Sequence, residues 1–541
     1  MTIQNTKKLI RVAGWLIIAA NLSCSSPGYR FRDTGPVTIH DDKQPIPVPE
    51  SSEYIRRKNE INVLVGRPAV QIFDVSRVSP AQDCNALDDI PASSWYTPRL
   101  GYRKITPEEL VKGPYEAGPP QSPVKVTKAK SGGGNPGFVI EDGRGFKYLV
   151  KFDPPDFPGM ETTTAFIVNR LFHGFGYNTP EDYLYFFRRE DMGIDPDGEL
   201  TQQDVDAVLE QVAVPVNGRY RSTVSLYIKG TILGPTIAFG TREDDPNDTI
   251  RHENRRILRA LRVFCAFTNN TGMRIDNSLD VYEGEPDNGY VKHYLLDFGE
   301  AFGGHGTGHD YRWDGYNHIF DFRQTMRNLL TFGLFVEDWE NAGITPWKSV
   351  GRFESAVFNP EKWNEVWPYE PIRRSQPADD YWAAKVLASL TREHIAALVH
   401  AAEYPEPEAA DYIIKTLMER RRKILNFAFN NVSPLEVVNF GNGILKLKDF
   451  GKTIPDKTGV PRRYEIRYYD GSGKELHGKH TITGNGDSID IPIKENLVKR
   501  ADDYLRIDVW VWRGKKCAPS PAEFHVRKGD QSLYNLVGVV H

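Results

Sequence analysis

One lysine and one glutamate lie at spacings that suit the binding of phosphate groups. Lys151 ends the apolar run YLVK, and a lysine on the inward face of a buried strand needs an anion beside it. The functional interpretation is contact with the phosphates of a nucleotide. Glu161 follows at the start of a predicted helix, where we expect it to pair with Lys151. An ordinary surface carboxylate near a helix N-terminus is the alternative for Glu161.

A glycine-rich segment precedes the strand hairpin that contains this lysine. Without side chains, such a loop can bring backbone N–H groups onto phosphates. A flexible surface loop would have the same composition, so the segment is weak evidence alone. The candidate phosphate-binding glycines are Gly132, Gly133, Gly134 and Gly137.

Two later segments resemble the catalytic loop and the metal-binding strand end of protein kinases. NTGMRIDN, residues 270–277, matches the spacing of the kinase loop HRDxxxxN, and LLDFGEAFGG ends an apolar strand with Asp-Phe-Gly. With the glycine loop, the strand lysine and the helix glutamate in this order, the chain resembles the protein-kinase-like superfamily. The nearest branches are the atypical bacterial ones akin to HipA-type and CotH-type kinases. The resemblance implies that Asn277 and Asp297 bind Mg²⁺ and that ATP and Mg²⁺ are the cofactors.

The chain looks still more similar to a group of exported bacterial lipoproteins. KFDPPDFPG, GTREDDPND and HENRR are typical of that group, and the resemblance covers roughly residues 60 to 435. The activity of the group is not established, so the resemblance implies the fold more firmly than the function.

The most important departure from the kinase pattern is Gly272, which stands where the catalytic loop has its aspartate. That aspartate accepts the proton of the substrate hydroxyl, and losing such a base costs about 10²- to 10⁴-fold in rate. Asp276 or Asp280 could substitute, although each is displaced along the chain. Catalytic residues are therefore predicted to be absent, with Gly272 at the base position. The resulting hypothesis is a pseudokinase that binds nucleotide and Mg²⁺ without efficient phosphotransfer.

Two other functions stay open beside the pseudokinase. An active atypical kinase or AMP-transferase is favoured by the retention of Lys151, Glu161, Asn277 and Asp297. An envelope scaffold or interaction protein is the third hypothesis. Whether the chain is an enzyme is therefore undecided from the sequence.

The composition excludes some classes of protein. The 541 residues predict two or three domains, and 40% apolar with 26% charged residues describe a soluble globular chain. A formal net charge of −4 gives no reason to expect nucleic acid as a partner. Apart from Cys24, the cysteines number three and are far apart, which excludes a disulfide framework.

The N-terminus has the pattern of an export signal. Lys7, Lys8 and Arg11 precede the apolar run VAGWLIIAANL, which is too short to span a bilayer. Cys24 follows and is predicted to carry a lipid, which would anchor an exported lipoprotein to a membrane on the periplasmic or cell-surface side. Ordinary secretion and an uncleaved anchor are the alternatives.

The predicted fold class is α+β, with a two-lobed protein-kinase-like domain followed by a small all-β immunoglobulin-like sandwich. The short alternating runs at the C-terminal end indicate the sandwich, whose expected role is packing or the binding of a protein partner. Within the kinase-like part, EDGRG predicts a hairpin turn, and one long helix is predicted after its cap, Asp248. The predicted segments are an export signal (1–24), a flexible tether (25–52), an N-terminal extension (53–122), the kinase-like domain (123–435) and the β domain (436–541).

Overall fold

The chain folds into a mixed α+β structure, as predicted. Cys24, the export signal, most of the tether and Gly132, Gly133 and Gly134 lie outside the described residues, so the predictions made for them stay predictions. The computed structural model describes residues 31, 41–52, 78–130, 135–198, 200–319, 322–454, 460–484, 486–494, 497, 500, 501, 503–528 and 534–541.

A six-stranded sheet carries the predicted lysine. Its strands are Val124–Ala129 (β1), Gly137–Glu141 (β2), Lys147–Phe152 (β3), Asp182–Phe187 (β4), Met192–Ile194 (β5) and Tyr220–Leu226 (β6). Their order across the sheet is β4-β6-β3-β2-β1-β5, and β2 and β3 form the predicted antiparallel hairpin. The two-residue period of β3 buries Tyr148, Val150 and Phe152 in one core. Lys151 therefore projects from the opposite face of the sheet.

Three helices accompany this sheet: Pro107–Lys112 (α1), Met160–Phe175 (α2) and Gln202–Leu209 (α3). α2 packs against β3, β4 and β6, and nearly all of its residues are buried. Gly176 caps its C-terminal end with a left-handed φ of 112°. A Cβ atom at Gly176 would lie 2.0 Å from the Tyr96 ring, so both the conformation and the packing require glycine there. The helix thus holds Glu161 in its buried first turn.

A three-stranded sheet contains the second half of the predicted site. Its strands are Thr231–Gly234 (β7), Ser278–Glu285 (β8) and Asn288–Leu295 (β9), and they pair in the order β7-β8-β9. β8 and β9 pair antiparallel, with Ser278 opposite Leu295 at the open end of the hairpin. Because Asn277 precedes β8 and Asp297 follows β9, the pairing places both at this same end. The Leu296 N–H donates to the Asn277 carbonyl at 2.9 Å.

The prediction of a single long helix after Asp248 is wrong. The segment forms one 3₁₀ turn and two short helices: His252–Asn254, Arg256–Arg259 (α4) and Leu261–Thr268 (α5). Asp248 does not cap a helix, because its carboxylate binds the side chains of His252 and Arg255. The cap of α4 comes instead from Asp83, whose carboxylate accepts from the backbone N–H groups of Arg256 at 2.5 Å and Ile257 at 3.2 Å.

Helices dominate the following part of the chain, after two short paired strands, Gly304–His305 (β10) and Gly308–His309 (β11). The helices are Phe322–Leu330 (α6), Glu370–Arg373 (α7), Pro377–Ala388 (α8), Arg392–Ala401 (α9) and Pro407–Asn431 (α10). α10 packs on α5, α8 and α9. The apolar face of α10, with Ile413, Leu417 and Ile424, is fully buried in the core that these helices share.

The C-terminal part consists of two further sheets. Their strands are Leu435–Gly441 (β12), Ile444–Asp449 (β13), Arg462–Asp470 (β14), Glu475–Gly484 (β15), Ser488–Pro492 (β16), Tyr504–Arg513 (β17), Lys516–Cys517 (β18), Ala522–Lys528 (β19) and Tyr534–Val540 (β20). The strand orders are β12-β13-β16 in the first sheet and β15-β14-β17-β19-β20 in the second, where β18 pairs with β17. Leu447 and Ile489 of the first sheet share one core with Ile466 and Ile507 of the second. Two sheets around one core agree with the predicted all-β character. The immunoglobulin-like assignment stays a prediction.

The described part of the predicted extension, residues 78–122, belongs to the helical core. Trp95, Tyr96 and Leu100 are buried there, and the Tyr96 ring lies edge-on to Trp382 of α8 at 5.6 Å between centroids. Among the described residues, no helix has both the length and the apolar character needed to cross a bilayer. Cys84, Cys265 and Cys517 are free thiols.

Candidate functional site

Lys151 and Asp297, which are distant in the chain, meet in the structure. Lys151 lies one residue before the end of β3, and Asp297 follows β9 with a left-handed φ of 54°. The Lys151 ammonium donates to Asp297 Oδ1 at 2.8 Å. A four-carbon side chain from the sheet thus reaches the turn after the hairpin, and the predicted phosphate-binding and metal-binding residues share one cleft.

The contact between Lys151 and Asp297 favours the charged form of both side chains. Burial opposes the charge of Lys151, but the Asp297 carboxylate raises the pKa of this lysine above its ordinary value. Burial likewise opposes the charge of Asp297, and the ammonium of Lys151, together with Arg274 and Lys130, lowers the pKa of this carboxyl. The Asp297 side chain remains 41% exposed, so a ligand can approach it from solvent.

Glu161 lies beside the pair but does not form the predicted ion pair with Lys151. Its Oε2 accepts from the Asn135 side-chain amide, and its Oε1 has no hydrogen-bond partner among the described residues. Burial, followed by the nearby Asp297 charge, raises the pKa of Glu161 well above its ordinary value. The physical reason for the failed prediction is that Asp297 binds Lys151 instead and Asn135 binds the glutamate.

Asn277 is placed next to Asp297 by the end of the β8–β9 hairpin and is itself buried. Its side-chain amide donates to the Gly272 carbonyl at 2.7 Å, which closes the loop between these two residues. The side-chain oxygen is the atom that would face a cation. The matched spacing of Asn270 to Asn277 therefore corresponds to a real loop at the cleft.

Gly272 is in this loop, and its missing side chain has a structural explanation. A Cβ atom built on Gly272 would lie 2.4 Å from Glu300 Oε2 and 3.1 Å from Glu300 Cβ. Glu300 therefore occupies the place that a side chain at position 272 would need. Glu300 is not predicted from the sequence; the signal that could have found it is its position directly after Asp-Phe-Gly, in the 3₁₀ turn Phe298–Glu300.

Among the described residues, the basic side chain that binds Glu300 is Arg274. Glu300 Oε1 accepts from Arg274 Nη2 at 3.0 Å. Burial raises the pKa of Glu300 against the charge of Arg274, which lowers it, and the neighbouring Asp297 carboxylate raises it further. A carboxyl with a raised pKa in a cleft is the usual setting of an acid–base group.

The two aspartates considered as replacements for a base at position 272 are committed to other contacts. Asp280 is only 1% exposed at its side chain, where it binds His293 at 2.7 Å and also Thr236. Asp276 pairs with Arg274 Nε at 3.0 Å. Asp280 is therefore unable to reach a substrate.

Of the candidate glycines, only Gly137 is described, and it opens β2 opposite Lys151. A Cβ atom there would lie 2.3 Å from the Val150 carbonyl, so glycine permits close approach of β2 to β3. This contact gives Gly137 a packing role, and its contact with phosphate stays a prediction.

The cavity at the pair is small. Its volume is about 20 Å³, which is room for about one water molecule. Lys151, Glu161, Asp182 and Asp297 line it, and burial raises the pKa of Asp182 to about 6. Within the part of the chain that the structure describes, no group of three or more His, Cys, Asp or Glu side chains has the geometry to hold a metal ion by itself.

Three of the solved structures that are loosely similar to this chain are kinases. The Helicobacter pylori proinflammatory kinase CtkA is 11% identical, with 56% of this chain and 94% of that chain covered and a TM-score of 0.32. A Golgi casein kinase with Mn/ADP bound is 12% identical, with 57% and 72% covered and a TM-score of 0.28. A second Golgi casein kinase structure is 11% identical, with 71% and 95% covered and a TM-score of 0.28. No family model and no curated protein matches the chain.

Proposed function

We propose that the chain is a kinase-like protein whose cleft binds a nucleoside triphosphate, ATP being the expected one, together with a divalent cation. The observation that carries the proposal is the 2.8 Å contact between Lys151 Nζ and Asp297 Oδ1. It joins a sheet lysine to the aspartate of Asp-Phe-Gly. Asn277 lies at the same open end of the β8–β9 hairpin as Asp297.

The residues of the cleft fit this pair of ligands. Lys151 supplies a fixed positive charge for phosphate oxygens. Asp297 and Asn277 supply oxygen ligands, and Mg²⁺ typically takes one or two carboxylates and completes its shell with phosphates and water. Once bound, the cation would neutralise phosphate charge.

Binding requires the cleft to open. A cavity of about 20 Å³ is far below the 300–1,000 Å³ typical of ligand pockets. Lys151 and Asp297 must separate so that phosphate replaces the carboxylate and the cation replaces the ammonium. Each charge exchanges one partner of opposite sign for another, which keeps the electrostatic cost of opening low.

We expect Lys151→Met to weaken ATP binding by about 10- to 150-fold, because a hydrogen bond to a charged group contributes about 1.5–3 kcal/mol. The measurement is the rise in Tm that ATP and Mg²⁺ cause, which falls as the affinity falls. Lys128→Met, at an exposed position of β1, is the matched control and should keep the full rise. Equal rises in both variants would contradict the proposed role of Lys151.

We further propose that the chain is exported and anchored to a membrane by a lipid on Cys24. The support is the order of basic residues, apolar run and cysteine in the sequence. Cys24→Ala should lose both lipid labelling and the membrane fraction. Lipid-labelled Cys24→Ala in the membrane fraction would exclude this anchor.

A further inference from the structure

The Glu300 carboxylate occupies the space that a side chain at position 272 would need. The Cβ atom that Gly272 lacks would overlap Glu300 Oε2, since heavy atoms at 2.4 Å are closer than van der Waals contact allows. Gly272 has no positive φ, so backbone conformation does not require glycine there. What requires glycine is the carboxylate of Glu300, which comes from the turn after Asp297.

The carboxylate is fixed on one side and open on the other. Arg274 holds Oε1 at 3.0 Å, and no donor among the described residues hydrogen-bonds to Oε2. The Glu300 side chain is 30% exposed, whereas the Asp280 side chain is 1% exposed and that of Asp310 is 6% exposed. Asp276 is also paired with Arg274 and is 25% exposed, but only Glu300 occupies the place of a side chain at position 272.

The loop around this place is also held rigidly. Asn277 Nδ2 donates to the Gly272 carbonyl, and the Gly272 N–H donates to Asn270 Oδ1 at 3.2 Å. Glu300 is three residues after Asp297 on one continuous turn. A movement that opens the cleft at Asp297 therefore keeps Glu300 next to the residue expected to hold the cation.

We propose that Glu300 is the general base of a phosphotransferase and replaces the aspartate that position 272 lacks. The inference rests on the proposed nucleotide binding and extends it to catalysis. An acceptor hydroxyl gives its proton to Glu300 Oε2, and its oxygen forms a bond to the γ-phosphorus. The bond from that phosphorus to the β–γ bridging oxygen breaks, and the nucleoside diphosphate leaves with that electron pair. The chain is then an active transferase, which was the alternative to the pseudokinase.

The first test needs no ligand and measures thermal stability. Gly272→Asp should lower the Tm by about 2–6 °C, because it overfills the place and adds a second carboxylate beside Glu300. Adding Glu300→Ala to the Gly272→Asp chain should recover most of the lost Tm. Equal Tm changes for Gly272→Asp with and without Glu300→Ala would show that the two side chains do not share one place.

The second test measures ADP formation from ATP with Mn²⁺ or Mg²⁺, with water and the chain's own hydroxyl groups as acceptors. Glu300→Gln should lower the rate by about 10²- to 10⁴-fold. The ATP affinity of this variant, measured by calorimetry, should stay within about threefold of the wild-type value, because Glu300 is not one of the residues proposed to bind nucleotide or cation. The double variant with Gly272→Asp and Glu300→Ala should recover part of the rate. Glu285→Gln, on the exposed end of the hairpin, is the control.

The outcomes separate the two proposals. Metal-dependent ATP binding with no ADP formation by wild type, or with an equal rate in Glu300→Gln, would overturn the role of Glu300 and leave nucleotide binding intact. Failure of wild type to bind ATP would overturn both. Loss of rate in Glu300→Gln with unchanged binding, and recovery in the double variant, would establish Glu300 as the base.

Discussion

Asp297→Ala is expected to weaken metal-dependent ATP binding by about 30- to 4,000-fold. Removing one member of a hydrogen-bonded charge pair in a desolvated site typically costs about 2–5 kcal/mol. Here the substitution removes the carboxylate expected to hold the cation and also leaves Lys151 without its 2.8 Å partner. Only the weaker influence of Asp182 and Glu161 then opposes the effect of burial on Lys151, so the pKa of this lysine should fall. Titration calorimetry with and without Mg²⁺ measures the loss.

Asp297→Asn separates charge from size in the same position. It should lose nearly as much affinity as Asp297→Ala, because an amide keeps the shape of the carboxyl but offers the cation no charge. Glu285→Ala, an exposed carboxylate removed from the same hairpin, should bind ATP as wild type does. Wild-type affinity in either Asp297 variant would mean that this aspartate does not hold the cation.

Asp248→Ala is expected to lower the free energy of unfolding by about 3–5 kcal/mol, because it breaks a buried ion-pair network from one side. The Asp248 carboxylate accepts from the Arg242 backbone N–H and from Arg255, each at 2.7 Å, and His252 Nε2 is also 2.7 Å from it. Its side chain is 1% exposed. Urea denaturation measures the loss, and Asp411→Asn on the exposed face of α10 is the control.

The stabilising effect of Asp248 should depend on pH in a defined direction. Burial opposes its charge, but the contacts with His252, Arg255 and the Arg242 N–H lower the pKa of this carboxyl well below its ordinary 3.8. A group with a lowered folded-state pKa stabilises the fold above its unfolded pKa and loses this effect as the pH falls through the folded value. The difference between wild type and Asp248→Asn should be full at pH 7 and shrink below about pH 4. A difference that grows on acidification would contradict this assignment.

The sequence predicts those features of the site that depend on local pattern. The alternation of YLVKF and the turn EDGRG predict the hairpin that carries Lys151, and both are present. The kinase resemblance implies that Asn277 and Asp297 hold one cation, and the β8–β9 pairing brings both residues to the same end of a hairpin.

The features that the sequence did not predict depend on contacts between distant segments. Glu300 lies next to Gly272 because the turn after β9 packs against the loop before β8. The long helix predicted after Asp248 is broken because its apolar pattern competes with a buried charge network and with a cap from Asp83. Neither contact leaves a periodic signal in the sequence.

The most direct test of the central claim is a calorimetric titration of ATP into the wild-type chain, with and without Mg²⁺ or Mn²⁺. We predict binding that requires the divalent cation, because Lys151 and Asp297 exchange their mutual contact for phosphate and metal. No binding with either cation would contradict the account. The cleft would then serve only the fold, and the envelope scaffold with its C-terminal β domain would become the leading hypothesis.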